Sequence, residues 1–541
     1  MIDVSHHNVK DVRMKLNYRR TICVGFAFFL ITAFWQAYDN IIALTLTNKF
    51  GMPQAYSGII MAFDNVLALF MLPLFGALSD KCHTKLGKRT PFILVGTVLA
   101  AVSFIALSFV DNMQLTNIKD VAQIDSVTSL ETLYEYDYGK TELKTTDGKV
   151  FHVSDFDKET FLSIRTDTEW DTAGNDVTDN TAYKGERINP YSEYVSPARQ
   201  AYAWKATLNN PGTLIFFVGL LLVVLLSMSI FRSPAVALMP DVTPKPLRSK
   251  GNAVINLMGS AGGVIVLVLG MVFGTGNAKN GLMSYIVFFG IIGALMLTAL
   301  VAFLLTVKEN QFVQEMEEES KRFGIVESAD SDNSGSRKLS RGEIVSLLLI
   351  LASVALWYMG YNAVSSKYSV YATNILQKDY NMTLIIAQAA AIISYLPVGM
   401  ISSKLGRKKC IIAGVVILGT AFGSAYFVNA STPALLMNLL FALAGIGWAT
   451  INVNSFPMVV ELAKGGNVGK YTGYYYTASM AAQVLTPYLS GLLMDRFGMT
   501  TLFPYATVFV AIAFVTMLFV KHGDSIVAPK ASVLENFDIE D

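Results

Sequence analysis

The sequence predicts an all-α membrane protein whose twelve transmembrane helices form two six-helix bundles. Apolar runs of about 20 residues, enough to cross a bilayer as a helix, recur along the chain. The chain is 53% hydrophobic and only 15% charged, whereas soluble proteins carry about 25% charged residues. Basic residues are concentrated in alternate loops, and a short glycine-rich and basic motif occurs once in each half. These observations together predict two related membrane halves.

Each spanning helix is placed on an apolar run bounded by polar loops. The first bundle occupies 21–306 and the second occupies 343–521, with polar tails at 1–20 and 522–541. A charged segment at 307–342, rich in Ser, Asp and Gly towards its end, predicts a linker between the bundles. The predicted helices are 21–47, 56–78, 91–111, 212–239, 251–274, 281–306, 343–373, 383–402, 410–429, 433–460, 471–494 and 499–521.

The distribution of basic residues predicts how the chain lies in the membrane. Short loops rich in Lys and Arg face the cytoplasm. Loops at 79–90, 240–250, 403–409 and 461–470 carry such clusters, whereas the short loops between them are nearly free of basic residues. We therefore expect a multi-pass protein of the cell membrane with both termini in the cytoplasm. The polar amino terminus and the long first apolar run indicate that no cleavable signal peptide is present.

An acidic insert at 112–211 separates the third and fourth helices and is predicted to lie outside the cell. Within it, Thr145–Phe151 predicts a β-hairpin with an Asp-Gly turn. Asp155, followed by Lys158 and Glu159, is typical of a helix start. A small folded cap and a solvated loop are both consistent with this composition.

The repeated motif runs over Gly76–Pro91 and, in a weaker form, over Gly399–Lys409. Each copy joins two apolar helices through a basic loop, but Ser403 stands where Asp80 would fall. Carboxylates at cytoplasmic helix ends beside basic residues predict pairs that stabilise one conformation of a gate. The predicted gate residues are Asp80, Arg89, Asp241, Arg248, Arg407 and Glu461.

Charged side chains inside a bilayer are costly and usually face a cavity or a partner. Asp39 and Asp64 fall in the first two helices, and we predict that they carry the coupling proton. Arg232 or Lys367 would balance their charge. No histidine lies in a predicted span, so proton coupling would need a carboxylate tuned by its surroundings. The alternative is that these groups form structural pairs or contact interfacial water.

Aromatic rings and amides recur in the predicted helices, as a sugar-binding cavity would require. Rings stack on the apolar face of a pyranose, and amides bind its hydroxyl groups. Interface belts and interhelical hydrogen bonds would use the same residue types. The predicted substrate-binding residues are Trp35, Gln36, Tyr38, Asn40, Asn65, Arg232, Tyr361, Asn362, Lys367, Trp448, Asn452, Asn454, Tyr475 and Gln483.

Several functional classes are disfavoured by composition. Net charge is +1, which does not indicate a nucleic-acid partner. The three cysteines are scattered, so neither a disulfide framework nor a metal site is expected. We find no setting for a catalytic nucleophile and expect no enzyme and no cofactor. The expected partners are a small-molecule substrate, a coupling cation (a proton, or else sodium) and the lipid bilayer, and a monomer is expected.

The Gly76–Arg89 stretch resembles motif A of the major facilitator superfamily. Its continuation through Pro91, with Ser79 and Asp80, is similar to the sucrose-transporter branch, near the glycoside–pentoside–hexuronide cation symporters. Stretches 232–244, 360–363 and 447–461 resemble the same branch. The resemblance implies a sugar or glycoside carried with a proton by alternating access. Plant members place an arginine where this chain has Val236, whereas here the arginine is Arg232.

Three hypotheses follow from these observations. The first is a secondary active transporter, most simply a proton–sugar symporter of the major facilitator fold. The second keeps the fold but makes the protein an exporter of drugs or metabolites. The third is a membrane sensor that binds a ligand with the 112–211 insert and no longer transports.

Overall fold

The computed structural model describes residues 15–166, 189–244, 247–322, 339–462 and 468–523. Within these ranges, ten helices are long and apolar enough to cross a membrane. The protein is almost entirely helical, and its one small sheet lies in the insert. The structure therefore supports a multi-pass, all-α membrane protein.

The first half of the chain contains six long helical segments and the insert. Helix α1 continues to Lys49 through two wider turns, Tyr38–Ile42 and Thr45–Lys49, in which hydrogen bonds span five residues. The elements are α1 (Tyr18–Ala37), α2 (Gln54–Met61), α3 (Phe63–Asp80), α4 (Thr90–Asn117), α5 (Val127–Asp137), β1 (Leu143–Lys144), β2 (Val150–Phe151), α6 (Lys158–Ser163), α7 (Ser196–Asn209), α8 (Gly212–Asp241), α9 (Arg248–Phe273) and α10 (Ile286–Thr306).

The second half repeats the pattern of long helices. Helix α11 (Glu309–Arg322) lies in the linker, and the helices of the second half are α12 (Arg341–Tyr371), α13 (Tyr380–Leu405), α14 (Arg407–Ala425), α15 (Ala434–Glu461), α16 (Val468–Phe497) and α17 (Leu502–Leu518). Helices α13 and α16 coincide with the predicted spans 383–402 and 471–494. Within the described residues, they are not among the ten helices that are long and apolar enough to cross a membrane. The twelve-helix, two-bundle organisation is consistent with this arrangement and remains a prediction in its details.

Local sequence signals explain where several helices begin and end. Ser340 and Glu343 form a capping box at the start of α12, in which each side chain accepts a hydrogen bond from the other residue's backbone. Pro91 occupies the first turn of α4, where its missing N–H costs no helical hydrogen bond. Helix α9 ends at Gly274, whose φ of 64° is the left-handed conformation that glycine adopts without strain.

The described part of the insert is folded rather than a solvated loop. Strands β1 and β2 pair antiparallel around the predicted Asp-Gly turn, which confirms the hairpin. The predicted helix start is displaced by two residues, because Asp157 caps α6 while Asp155 accepts from the backbone of His152. A second hydrophobic core, separate from that of the membrane helices, includes Ile118, Val121, Leu130, Leu133, Phe151, Phe161 and Val195.

The predicted linker begins with an ordered helix. Glu309, the first residue of α11, is buried, and its carboxylate accepts hydrogen bonds from the backbone of Lys88, Arg89 and Thr90. These are donors at the start of α4, which have no partner within that helix. Residues 307–322 are therefore attached to the first half. The Ser-rich remainder at 323–338 lies outside the described residues.

The two halves contact each other at the end of the molecule that bears the insert. We call this end the insert side and the opposite end, with the basic loops, the basic side. On the insert side, the Asp495 carboxylate of α16 accepts from the backbone N–H groups of Gln54 and Ala55, both at 2.8 Å. A Cβ on Gly58 would lie 2.1 Å from the carbonyl oxygen of Pro487. Helices α2 and α16 therefore meet at backbone distance, and the described halves are closed together on this side.

A buried ion pair lies within the first half. Lys49 Nζ is 2.6 Å from Asp111 Oδ2, and both side chains are essentially inaccessible. The ammonium group also lies 3.8 Å from the centre of the Tyr285 ring. The pair joins α1 to α4, and the cation–π contact adds α10.

We expect Lys49→Met to lower stability by about 3 kcal/mol or more, because it leaves the Asp111 carboxylate buried without its partner. The double variant Lys49→Met/Asp111→Leu should recover much of this loss, since it removes both charges. Thermal unfolding of the purified protein in detergent measures the difference. Equal melting temperatures for the single and double variants would contradict the interpretation.

Candidate functional site

Two carboxylates and one guanidinium form a charged cluster among the membrane helices. Asp39 lies in the wide turn of α1 and Asp64 in the first turn of α3. They interact electrostatically with each other and with Arg232 of α8. Asn65 Nδ2 donates to Asp64 Oδ1 at 2.8 Å. The structure therefore brings together the acidic and basic groups that the sequence singled out.

Asp39 is exposed although it lies inside a membrane-spanning helix, and Asp64 is partly exposed. A carboxylate at this depth is costly unless water or a polar partner reaches it, and Arg232 is such a partner. Local backbone geometry helps to position both groups. The wide turn of α1 departs from regular α-helical spacing at Asp39, and α3 begins after a break at Ala62.

Arg232 also contacts an aromatic ring of α1. Its guanidinium lies 5.5 Å from the centre of the Trp35 ring, within the range of a cation–π contact. Trp35 in turn packs edge-on against Tyr38, with ring centres 5.3 Å apart. Arg232 thereby links the charged groups to the predicted aromatic residues of α1.

The second half contributes a pair of stacked rings. Tyr361 of α12 and Trp448 of α15 lie parallel, with centres 3.7 Å apart and an interplanar angle of 6°. Tyr358 packs edge-on against Trp448 at 5.1 Å. Tyr361 also interacts electrostatically with Asp39, which places this pair near the charged cluster. The aromatic pair of the second half therefore lies near the acidic cluster of the first half.

Two amides near these helices have unused hydrogen-bonding atoms. Asn362 Nδ2 and Asn452 Oδ1 are buried and have no hydrogen-bond partner among the described residues. Buried polar atoms are nearly always paired, because leaving one unpaired costs about 1–3 kcal/mol. One donor and one acceptor are therefore available to a polar ligand.

Other predicted substrate residues are engaged in packing between or within helices. Asn40 Nδ2 donates to the Gln36 carbonyl oxygen at 2.8 Å, and Asn454 Nδ2 donates to the Thr450 carbonyl oxygen at 2.9 Å. The Tyr475 hydroxyl is 2.9 Å from that of Ser455 within the second half. These three side chains are engaged in hydrogen bonds within their own halves of the protein.

Three further predicted residues differ in their surroundings. Tyr38 is fully buried, whereas Gln483 is partly exposed on α16. The Gln36 side-chain oxygen accepts from Gln388 Nε2 at 2.6 Å, across the two halves. Gln388 itself was not predicted, because a single amide in an apolar run carries no directional information.

Lys367 lies between the halves on the insert side. Its ammonium group donates to the Gln54 carbonyl oxygen at 2.9 Å and to Ser57 Oγ at 2.8 Å. Lys367 therefore joins α12 to the start of α2, and Asp495 of α16 binds the same segment. Sequence analysis did not identify Asp495 or Gln54, because they lie more than 400 residues apart and meet only in the folded chain.

On the basic side, Arg89 is the centre of the predicted gate. Its guanidinium lies 2.5 Å from Asp80 Oδ1 and 2.9 Å from Asp241 Oδ2, and it also donates to Ser79 Oγ. All of these groups belong to the first half, and Glu309 anchors the same loop. The sequence prediction missed Glu309, because it lies about 220 residues from the loop that it contacts.

The remaining gate residues are less central. Arg248 donates to the carbonyl oxygens of Pro240 and Thr243, and so stabilises the loop between α8 and α9. Arg407 is buried at the start of α14. The Glu461 side chain lies outside the described residues, so its predicted role in the gate stays a prediction.

Family comparisons agree with this architecture. The family model described as Major Facilitator Superfamily matches residues 201–394 and 369–535, which together span more than half of the chain. A second model, described as MFS/sugar transport protein, matches residues 23–133. The latter region contains Trp35, Asp39 and Asp64.

Individual relatives are similar over shorter stretches or at low identity. The chain is 36% identical to the sucrose transport protein SUT3 of Oryza sativa subsp. indica over 59 residues, which is 11% of this chain and 12% of that protein. A crystal structure of a D-xylose-proton symporter superposes with a TM-score of 0.52 at 14% identity, covering 94% of this chain and 99% of the other. A bacterial homologue of the iron transporter ferroportin, in an inward-facing state, gives 0.54 at 13% identity, covering 94% and 99%. At these identities the structural similarities establish the fold alone.

Proposed function

The chain belongs to the major facilitator superfamily and is a membrane transporter rather than an enzyme, and from this premise we propose that it carries a sugar or glycoside by alternating access, coupled to protons. The cell membrane and cytoplasmic termini are part of the proposal, as is a monomeric protein. The sugar-transport family match and the local similarity to a sucrose transport protein support this cargo over the exporter and sensor alternatives.

The stacked pair Tyr361–Trp448 is the observation that carries the proposal. A flat ring surface on two helices that also carry unpaired amide atoms suits a sugar, whose C–H face packs on aromatic rings while its hydroxyls bind amides. The unpaired atoms of Asn362 and Asn452 would then be satisfied by the substrate. Binding would remove the cost of burying them alone.

Proton coupling is assigned to the acidic cluster. Two ionised carboxylates beside one guanidinium leave an excess negative charge, which one proton would neutralise. Asp39 is the exposed member, so it can exchange a proton with water in the cavity. Arg232 would balance the remaining carboxylate. Sodium is the alternative coupling cation, since it would neutralise the same charge.

We expect the purified protein in proteoliposomes to accumulate a labelled disaccharide or related glycoside when a proton gradient is imposed, and not without a gradient. A sodium gradient in a separate arm tests the alternative cation. Protein-free liposomes and a protonophore provide the controls. Folded protein that transports none of a panel of sugars under any gradient would overturn the proposed cargo.

Asp39→Asn should abolish accumulation against a gradient and leave part of the sugar exchange, because the amide keeps the shape of the side chain but cannot release a proton. Counterflow and gradient-driven uptake, measured side by side, separate the two activities. Asp120→Asn, which alters an exposed carboxylate of the insert, is the matched control. Unchanged proton-driven accumulation in Asp39→Asn would remove this residue from the coupling role.

Trp448→Ala should weaken apparent sugar affinity by about tenfold, the effect of losing an aromatic contact worth about 1.4 kcal/mol. The control is Tyr475→Phe, which loses only a hydroxyl engaged within the second half and should retain its affinity. Uptake rates over a range of sugar concentrations give the apparent sugar affinity of each variant. An equal affinity in the two variants would argue against the stacked rings as the sugar site.

A further inference from the structure

The insert is firmly attached to the first half of the protein. Thr207 Oγ1 of α7 donates to the Phe50 carbonyl oxygen at 2.9 Å and accepts from Gln114 Nε2 at 2.9 Å. Gln200 Nε2 donates to the Met52 carbonyl oxygen at 3.1 Å. Because these contacts surround the turn between α1 and α2, helix α7 must move with the first half.

The hairpin of the insert reaches across to the second half. The Thr146 carbonyl oxygen accepts from the backbone N–H of Thr500 at 3.1 Å, and Lys144 Nζ donates to the carbonyl oxygens of Asp495 and Arg496 at 2.9 and 3.2 Å. The two acceptors lie in the last turn of α16, and the Thr500 donor lies in the short turn that joins α16 to α17. The hairpin thus bonds mainly to backbone groups of the opposite half.

Two glycines allow the loops to meet at backbone distance. Gly148 has a φ of 86°, and a Cβ there would lie 2.5 Å from the Phe497 carbonyl oxygen. Gly498 has a φ of 94°, and a Cβ there would lie 2.4 Å from the Thr146 carbonyl oxygen. The close approach therefore depends on the absence of a side chain on both loops.

A second contact lies beside the first. Asn189 Nδ2 donates to Gln377 Oε1 at 2.6 Å, and Ser192 Oγ donates to the Ile375 carbonyl oxygen at 3.3 Å. Glu193, in the same turn, is buried and accepts from the backbone and hydroxyl of Thr146. The carboxylate of Glu193 therefore connects the two contact points within the insert.

We propose that the insert is a clasp: residues 143–151 and 189–193, carried by the first half, hold the insert side closed by binding the 375–377 and 495–501 loops of the second half. The inference rests on the proposed alternating-access transport only for its functional meaning. When the insert side opens, the two halves separate there and these contacts break. The clasp therefore shifts the conformational equilibrium towards the state that is closed on the insert side.

The test measures opening directly, without a substrate. Thr373 is buried on α12's continuation and lines a narrow cleft between the insert and both halves, with Asn48 and Gln200. A Thr373→Cys reporter, in a background with the three native cysteines replaced by serine, is labelled from the insert side with a membrane-impermeant maleimide. Adding Gly148→Ala should raise the labelling rate about fivefold, since hydrogen bonds of ordinary strength are lost.

The matched control is Gly139→Ala. Gly139 also has a positive φ, 65°, and lies in the same insert, but a Cβ there would meet its nearest neighbour at an ordinary 3.7 Å. It carries the same backbone penalty without touching the second half. A second pair compares Lys144→Ala with Lys140→Ala, in which only the former removes contacts to the α16–α17 loop.

Faster labelling in Gly148→Ala and Lys144→Ala, with Gly139→Ala and Lys140→Ala unchanged, supports the clasp. Equal labelling of the variants and their controls overturns it. If Gly148→Ala is not monodisperse in size-exclusion chromatography, the Lys144 pair decides. A protein that shows the labelling difference but transports no sugar retains the clasp and loses only the proposed cargo.

Discussion

A bilayer supplies no partner for a charged side chain, and this constraint accounts for the arrangement of three groups of charged side chains within the described helices. Lys49 and Asp111 neutralise each other inside the first half. Lys367 donates to backbone and hydroxyl oxygens at the start of α2. Asp39, Asp64 and Arg232 form the third group, in which two carboxylates interact with one guanidinium. The first pair supports the fold, the second contact joins the halves, and the third group is the site of the proposed proton coupling.

Much of the fold was predictable because its signals are local. Apolar runs identified the long helices, and the Asp-Gly turn identified the hairpin of the insert. Helices α13 and α16 were placed correctly as segments, and the apolar part of α13 within the described residues, Tyr380–Tyr395, is shorter than a full span. The helix at 309–322 was missed, since a charged sequence next to a Ser-rich tract is also typical of a linker. Its order depends on Glu309 meeting the start of α4, which is a tertiary contact.

The candidate site was less predictable, because the type of a residue indicates whether its side chain is polar but not which way that side chain points. Asn452 and Asn454 are two residues apart on α15, yet the first has an unpaired oxygen and the second bonds to its own helix. Sequence alone gave both the same role. Contacts between halves, such as those of Asp495 and Gln388, need partners hundreds of residues away. No periodicity encodes such a pair, so only the folded chain reveals it.

The insert side and the basic side are stabilised in different ways, and this difference bears on the transport cycle. On the basic side, Arg89 pairs with Asp80 and Asp241 of its own half, so the halves can move apart there while these pairs stay intact. On the insert side, Asp495 and Lys367 bind the first turn of α2 from the opposite half. Those contacts must break for the insert side to open. Under the proposed alternating access, the described contacts between the halves on the insert side would oppose its opening, and substrate binding or protonation would have to offset them.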